Sequence, residues 1–249
     1  TPLYSSAASD VYKRQIRSFT HTRRQLIITI FLIMSGSVLV CNAQEGNKYR
    51  DDLLENYIKQ NSISEAKTLL AQKRDSISLF SPEKQAYYLN RSSQVSLIQG
   101  DFQQALIEAK NASKALGNNT ESSLWGETYR SVCFAYIRNG KLDSALIFAE
   151  KLYAFSKTKG DEAMKRAALL ALGNISLQNK SYQKSLEFYT EALQVTESIQ
   201  DSINLKVDYY NVGLALSQLN EHEKSNTYLL KAAELAEKQN FWDLVARSY

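Results

Sequence analysis

Side chains able to do chemistry are few in this sequence and stand far apart. Beyond residue 43 there is one histidine, His222, and one cysteine, Cys133. A lone imidazole cannot build a histidine-based metal cluster. A thiol with no histidine at a matching position lacks the base that would activate it. His222 is therefore expected as a partly exposed helix residue and Cys133 as a buried structural thiol. The glycines are scattered, with neither GxxxxGK[ST] nor GxGxxG among them, so no phosphate-binding loop is encoded. Asp51 beside Asp52 reads as the first turn of a helix rather than a working pair of carboxylates. Glu162 with Lys165 or Arg166, and Glu234 with Lys238, read as helix-surface ion pairs worth a few tenths of a kcal/mol. No catalytic residue, cofactor or metal site is expected, and the chain is not expected to be an enzyme.

Charge narrows the partners. Residues 1–43 hold five basic side chains against one acid, while the 206 residues from Gln44 onward carry 25 of each sign. The overall net charge of +4 belongs to the leader, so the body has no basic footprint for nucleic acid.

The elements behind these side chains are helical. Apolar residues make up 44% of the chain, enough for a core, and the only prolines are Pro2 and Pro82. With so few breakers there is little turn chemistry for a sheet. A repeat is also visible. The segments GDFQQAL at 100–106, GKLDSAL at 140–146, KSYQKSL at 180–186 and NEHEKS at 220–225 align, with Ala105, Ala145, Ser185 and Ser225 forty apart. Twelve residues before each stands another small or thiol residue: Ser93, Cys133, Gly173 and Gly213. Large residues stand sixteen before (Leu89, Tyr129, Leu169, Tyr209), and Tyr136, Tyr182 and Tyr189 also fall in slots that face other helices. Such spacing fits two antiparallel helices meeting at their small residues. Gly100, Gly140, Lys180 or Asn220 would make the turn; lysine is poorly suited to a left-handed turn conformation and would cost about 1 kcal/mol there. Asp161, Asp201 and Ser81-Pro82 are expected to start helices. A weaker copy at 61–66, one residue out of step, places a degenerate hairpin at 44–80, and the regular array runs over 81–249.

This pattern resembles the tetratricopeptide repeat, in an extended form with a forty-residue unit like that of kinesin-light-chain-like and bacterial signalling proteins. The resemblance implies an all-α fold, an α-α superhelix built as a right-handed solenoid of antiparallel helical hairpins. It also implies a concave face lined by the first helices. The exposed first-helix slots then fall on Asn90, Gln94, Arg130, Arg138, Asn174, Gln178, Tyr210 and Gln218. Amides, two arginines and a tyrosine suit an extended protein or peptide segment, by hydrogen bonds to its backbone and to a carboxylate; an ordinary solvated helix face is the alternative. The Lys, Asn and Arg set of the family's carboxylate clamp is not matched.

The N-terminus is read apart from the array. Residues 1–15, with SSAASDVYKRQ at 5–15, resemble read-through sequence and carry no structural pattern. Arg17, Arg23 and Arg24 then precede a mostly apolar run at 26–40 and the sequence Cys41-Asn42-Ala43-Gln44. That is the layout of a secretory signal at 16–43, cut between Ala43 and Gln44. Retention as an N-terminal anchor and lipidation at Cys41 remain open. Either way a periplasmic or otherwise extracytoplasmic location is expected. Tyr249 stands forty after Tyr209, so a sixth unit is expected to be cut short. Two functional readings follow: a protein-binding scaffold, or the sensor region of a membrane-bound signalling protein, attached through a segment beyond Tyr249 to a kinase or helix-turn-helix output.

Overall fold

The computed structural model describes residues 50–119 and 121–239. The expected signal segment at 16–43, Cys41, the Ala43–Gln44 junction and the expected sixth unit all lie outside these residues. Ten α-helices follow one another with no strand among the described residues: α1 (Asp52–Lys59), α2 (Ile63–Ile77), α3 (Pro82–Gln99), α4 (Phe102–Leu116), α5 (Leu124–Arg138), α6 (Leu142–Lys159), α7 (Glu162–Gln178), α8 (Tyr182–Ser198), α9 (Leu205–Gln218) and α10 (His222–Lys238). No described helix is long and apolar enough to cross a membrane. Consecutive helices pack together as hairpins, each second helix packs on the following first helix, and α3 also packs on α5 and α5 on α7. That is the arrangement of an α-α solenoid, in which each hairpin buries its apolar face against its neighbours.

The small residues twelve apart are where the helices of each hairpin touch, and a side chain on one reaches the backbone of the other. Ser93 Oγ donates to the Ala105 carbonyl at 2.8 Å and Cys133 Sγ to the Ala145 carbonyl at 3.3 Å. In the next two hairpins the direction reverses: Ser185 Oγ donates to the Gly173 carbonyl at 3.0 Å and Ser225 Oγ to the Gly213 carbonyl at 2.8 Å. Where the first helix supplies the hydroxyl or thiol the second supplies alanine. Where the first supplies glycine the second supplies serine. Each crossing thus carries one hydroxyl or thiol donor opposite an alanine or a glycine. Cys133 is buried and free, and burial pushes its thiol up to about 12, which makes it inert.

Caps and turns follow the local chemistry. Asp51, Ser81, Asp101 and Asp161 each accept the backbone N–H three residues on, at the start of α1, α3, α4 and α7. Asp201 differs. It accepts from the Ile203 and Asn204 N–H groups and so closes a turn, and α9 begins only at Leu205. The hairpin turns keep one conformation whatever residue occupies them, with φ of 82° at Gly100, 69° at Gly140, 59° at Lys180 and 61° at Asn220. At Lys180 the side chain crowds its own backbone. Lys180→Gly is expected to raise the unfolding free energy by roughly 0.5–1 kcal/mol, the relieved strain less the extra freedom of glycine in the unfolded chain. Urea unfolding checks this, and an unchanged or lower midpoint would show that the lysine is not strained there.

Candidate functional site

Helices α3, α5 and α7 present equivalent slots side by side, because the forty-residue step brings each first helix back in register. Gln94, Phe134 and Asn174 occupy one such slot, and Ile98 and Arg138 another. Together with Arg130 and Leu97 they line a groove of about 370 Å³. Four of the eight residues expected at a binding face, Gln94, Arg130, Arg138 and Asn174, thus meet in one place. The floor between them is apolar, with Ile98 half exposed.

The polar groups of the groove are held but not used up. Arg130 Nη2 donates to Glu127 Oε2 at 2.6 Å, while its Nε is buried and makes no hydrogen bond among the described residues. The Arg138 guanidinium lies 4.5 Å above the centre of the Phe102 ring, a stacking that fixes the side chain while leaving its charge in solvent. Tyr189 donates to Asn174 Oδ1 at 2.7 Å, which leaves the amide N–H groups of Asn174 as donors. Two guanidinium groups and an amide around an apolar floor can bind a carboxylate together with an aliphatic or aromatic side chain.

The other four residues are placed differently. Asn90 is 1% exposed, against the expectation of an exposed slot. Its Nδ2 donates at 2.9 Å to Thr128 Oγ1 on α5, so it joins two first helices instead of facing solvent. The first helices pack closely enough at this point to cover an amide. Gln178 and Gln218 are exposed at the last residues of α7 and α9, and Tyr210 is half-buried on α9; none of the three lines the groove.

Behind the groove runs a chain of charges that residue type alone does not reveal. Arg91 on α3 donates through Nε to Glu55 on α1 at 2.6 Å and through Nη1 to Glu127 on α5 at 2.8 Å. Glu55, Arg91 and Glu127 are spaced thirty-six apart, one repeat less one helical turn, and that spacing is the signal that could have found them. Arg166 is a second departure. It makes no surface pair on its own helix but is buried against Asp208 of α9. Glu162 does pair with Lys165, at 3.6 Å. Tyr87 and Tyr88 are buried on α3 and tie down α1 through Glu55 and Asp51.

Burial alone would raise the Glu127 carboxyl, but the charges of Arg130 and Arg91 and their hydrogen bonds outweigh it and hold the group at about 2. Its folded value lies below the unfolded value of about 4.3, so the stabilisation is complete above the latter and disappears as pH falls toward the former. Between pH 5 and 2.5 the wild-type protein is expected to lose about 2 kcal/mol more unfolding free energy than Glu127→Gln, discounted because the side chain is still 21% exposed. Parallel urea curves for the two proteins over that range would count against the assignment.

Comparison with known proteins bears on the fold. Residues 165–238 match the tetratricopeptide repeat family. A search of curated proteins found no match. Among solved structures, Bacillus thuringiensis PlcR, determined with the peptide PapR7 and DNA, is 14% identical with a TM-score of 0.70, covering 83% of this chain and 74% of that one. The apo form of RapI is 16% identical with a TM-score of 0.63, over 78% and 72% of the two chains. A kinesin light chain of Podosopora anserina with nearly identical TPR-like repeats is 15% identical with a TM-score of 0.55, over 79% and 97%. At these identities the likeness is one of fold. Residues 165–238 match the family directly, the two hairpins before them close at small residues of the same spacing, and the described array has the fold of a tetratricopeptide-repeat solenoid with a forty-residue step.

Proposed function

We propose that this protein is a non-catalytic scaffold that binds a protein or peptide segment across its first helices, in the groove between α3, α5 and α7. The observation that carries the reading is the convergence of Gln94, Arg130, Arg138 and Asn174 on one apolar floor. A segment with a carboxylate beside an apolar side chain fits these groups. Nucleic acid is not proposed as a partner of this segment, whose charges balance from Gln44 onward. PlcR, determined with the peptide PapR7 and DNA, offers a parallel, and a Rap protein of the same fold was determined in complex with Competence and Sporulation Factor.

The test is selection of a random heptapeptide library on the wild-type array and on Arg130→Ala/Arg138→Ala. Peptides with an acidic group next to an apolar residue should be enriched on the wild type, with affinity falling roughly tenfold to hundredfold in the double variant. Equal enrichment on both proteins would remove the groove from consideration.

The site of action proposed is outside the cytoplasm, supported by the basic and apolar leader at 17–40 and the small residue Ala43. Expression of the chain in a Gram-negative host should give a periplasmic protein beginning at Gln44. A cytoplasmic product with its leader intact would refute the proposal. The second reading, a sensor region of a membrane-bound signalling protein, has support from a Pyrococcus horikoshii signal-transduction ATPase whose tetratricopeptide repeats serve as its sensor, although this chain covers only 30% of it. This version requires that the gene encode, beyond Tyr249, about 20 consecutive apolar residues followed by Lys or Arg, and sequencing past that codon tests it.

A further inference from the structure

A larger cleft, of about 1200 Å³, lies on the other side of α3, between the second helices α2 and α4. Its chemistry departs from the rest of the array at one slot. Phe148, Phe188 and Tyr228 stand at successive steps of forty and pack against the hydrophobic core. The same slot in α4 holds Glu108, which is 7% exposed. The facing slot on the first helices changes with it: Val132, Leu172 and Val212 in the later hairpins correspond to Ser92 in α3.

These substitutions act together. Ser92 Oγ donates to Glu108 Oε1 at 2.6 Å, Ser96 Oγ to Oε2 at 2.8 Å, and Gln104 Nε2 to Oε1 at 3.1 Å. All three donors are neutral, and no cation among the described residues pairs with the carboxylate. A carboxylate has about four lone-pair sites, and three donors leave one of them for something in the cleft. A buried carboxylate is costly unless it is paired; an aromatic ring there would have cost nothing and filled the space. The exposed rim is mostly basic, with Lys67 and Arg74 on α2 and Lys114 on α4; its one acid, Asp101, is engaged in capping α4. The volume exceeds the roughly 300–1,000 Å³ of small-molecule sites and has room for a peptide of several residues.

We propose that the cleft between α2 and α4 is a second binding site, which takes a short zwitterionic peptide. Its ammonium group sits on Glu108 and its carboxylate lies against Lys67, Arg74 and Lys114. The ammonium and carboxylate come either from the ends of the peptide or from lysine and acidic side chains within it. This site is separate from the first-helix groove and does not depend on it.

Two probes distinguish the sources: a tetra-alanine peptide with free ends, and an end-blocked tetrapeptide containing one lysine and one glutamate. Calorimetric titration of the full chain should show one of them binding. Glu108→Gln, which keeps the shape and removes the charge, should weaken it roughly tenfold to hundredfold. Glu108→Phe, which restores the residue of the later repeats, should abolish binding and raise the melting temperature. Arg130→Ala/Arg138→Ala should leave it unchanged. The proposal is overturned if neither peptide binds at millimolar concentration, or if Glu108→Gln binds as well as wild type. It is overturned too if the arginine variant loses the peptide, which would place it in the first-helix groove.

Discussion

Replacing Asp208 with alanine is expected to lower the unfolding free energy of the array by about 3–5 kcal/mol. Asp208 is 0% exposed on α9. Its Oδ2 accepts Arg166 Nε at 2.8 Å and its Oδ1 accepts Arg166 Nη2 at 2.6 Å, a two-pronged pairing from α7. Thr196 Oγ1 on α8 donates to the same carboxylate. One side chain therefore holds three helices, across the joint between two hairpins. Its removal strands a guanidinium that is itself buried, and an uncompensated buried charge costs far more than the lost bond.

Because repeat arrays are held by nearest-neighbour interfaces, the damage should appear first in the last hairpin. Amide exchange in α9 and α10 should accelerate before that in α3 to α6. The double variant Arg166→Met/Asp208→Leu should recover most of the loss, since an apolar pair needs no partner. A single-variant cost below about 1 kcal/mol would mean that the pair is solvated and structurally idle.

Gly173→Val is the second large effect, at about 3 kcal/mol. A Cβ on Gly173 would lie 2.4 and 2.5 Å from two ring carbons of Tyr189. The ring cannot retreat: Tyr189 is 0% exposed among Leu169, Leu193 and Val212, and its hydroxyl is bonded to Asn174. Ser93→Ala, at the equivalent slot of α3, should cost only about 1 kcal/mol, because there a hydrogen bond to the Ala105 carbonyl is lost and nothing collides. Combining Gly173→Ala with Tyr189→Leu should cost less than the sum of the separate changes, since the vacated ring space accepts the methyl. Strict additivity in thermal unfolding would show that the two side chains do not compete. Displacement of Tyr189 would also release Asn174, so Gly173→Val should weaken peptide binding in the groove.

The hairpins were legible because what makes them is local. Two helices twelve residues apart at their closest approach need a small residue on each, and that demand recurs at every step of forty as Ser93 with Ala105, Cys133 with Ala145, Gly173 with Ser185 and Gly213 with Ser225. The Asp161 cap and the turn at Gly140 depend on three or four neighbouring residues and were equally visible. Asp201 was half legible, because its capping chemistry is local while the point where α9 starts is not.

Polar residues on the first helices were not legible in the same way. Asn90, Arg91, Glu127, Arg166 and Asp208 are types that ordinarily face water. Only the stacking of one first helix on the next decides that Asn90 is covered, that Arg91 bridges two glutamates, and that Arg166 turns inward to Asp208. The same stacking gathers Arg130, Arg138, Gln94 and Asn174 into a groove and leaves Gln178, Tyr210 and Gln218 outside it. Chain-local constraints of size and capping determined the array of forty-residue hairpins from the sequence by itself. The burial of charge and the choice of binding residues depend on which face one repeat covers on the next, and that was decided by the tertiary structure.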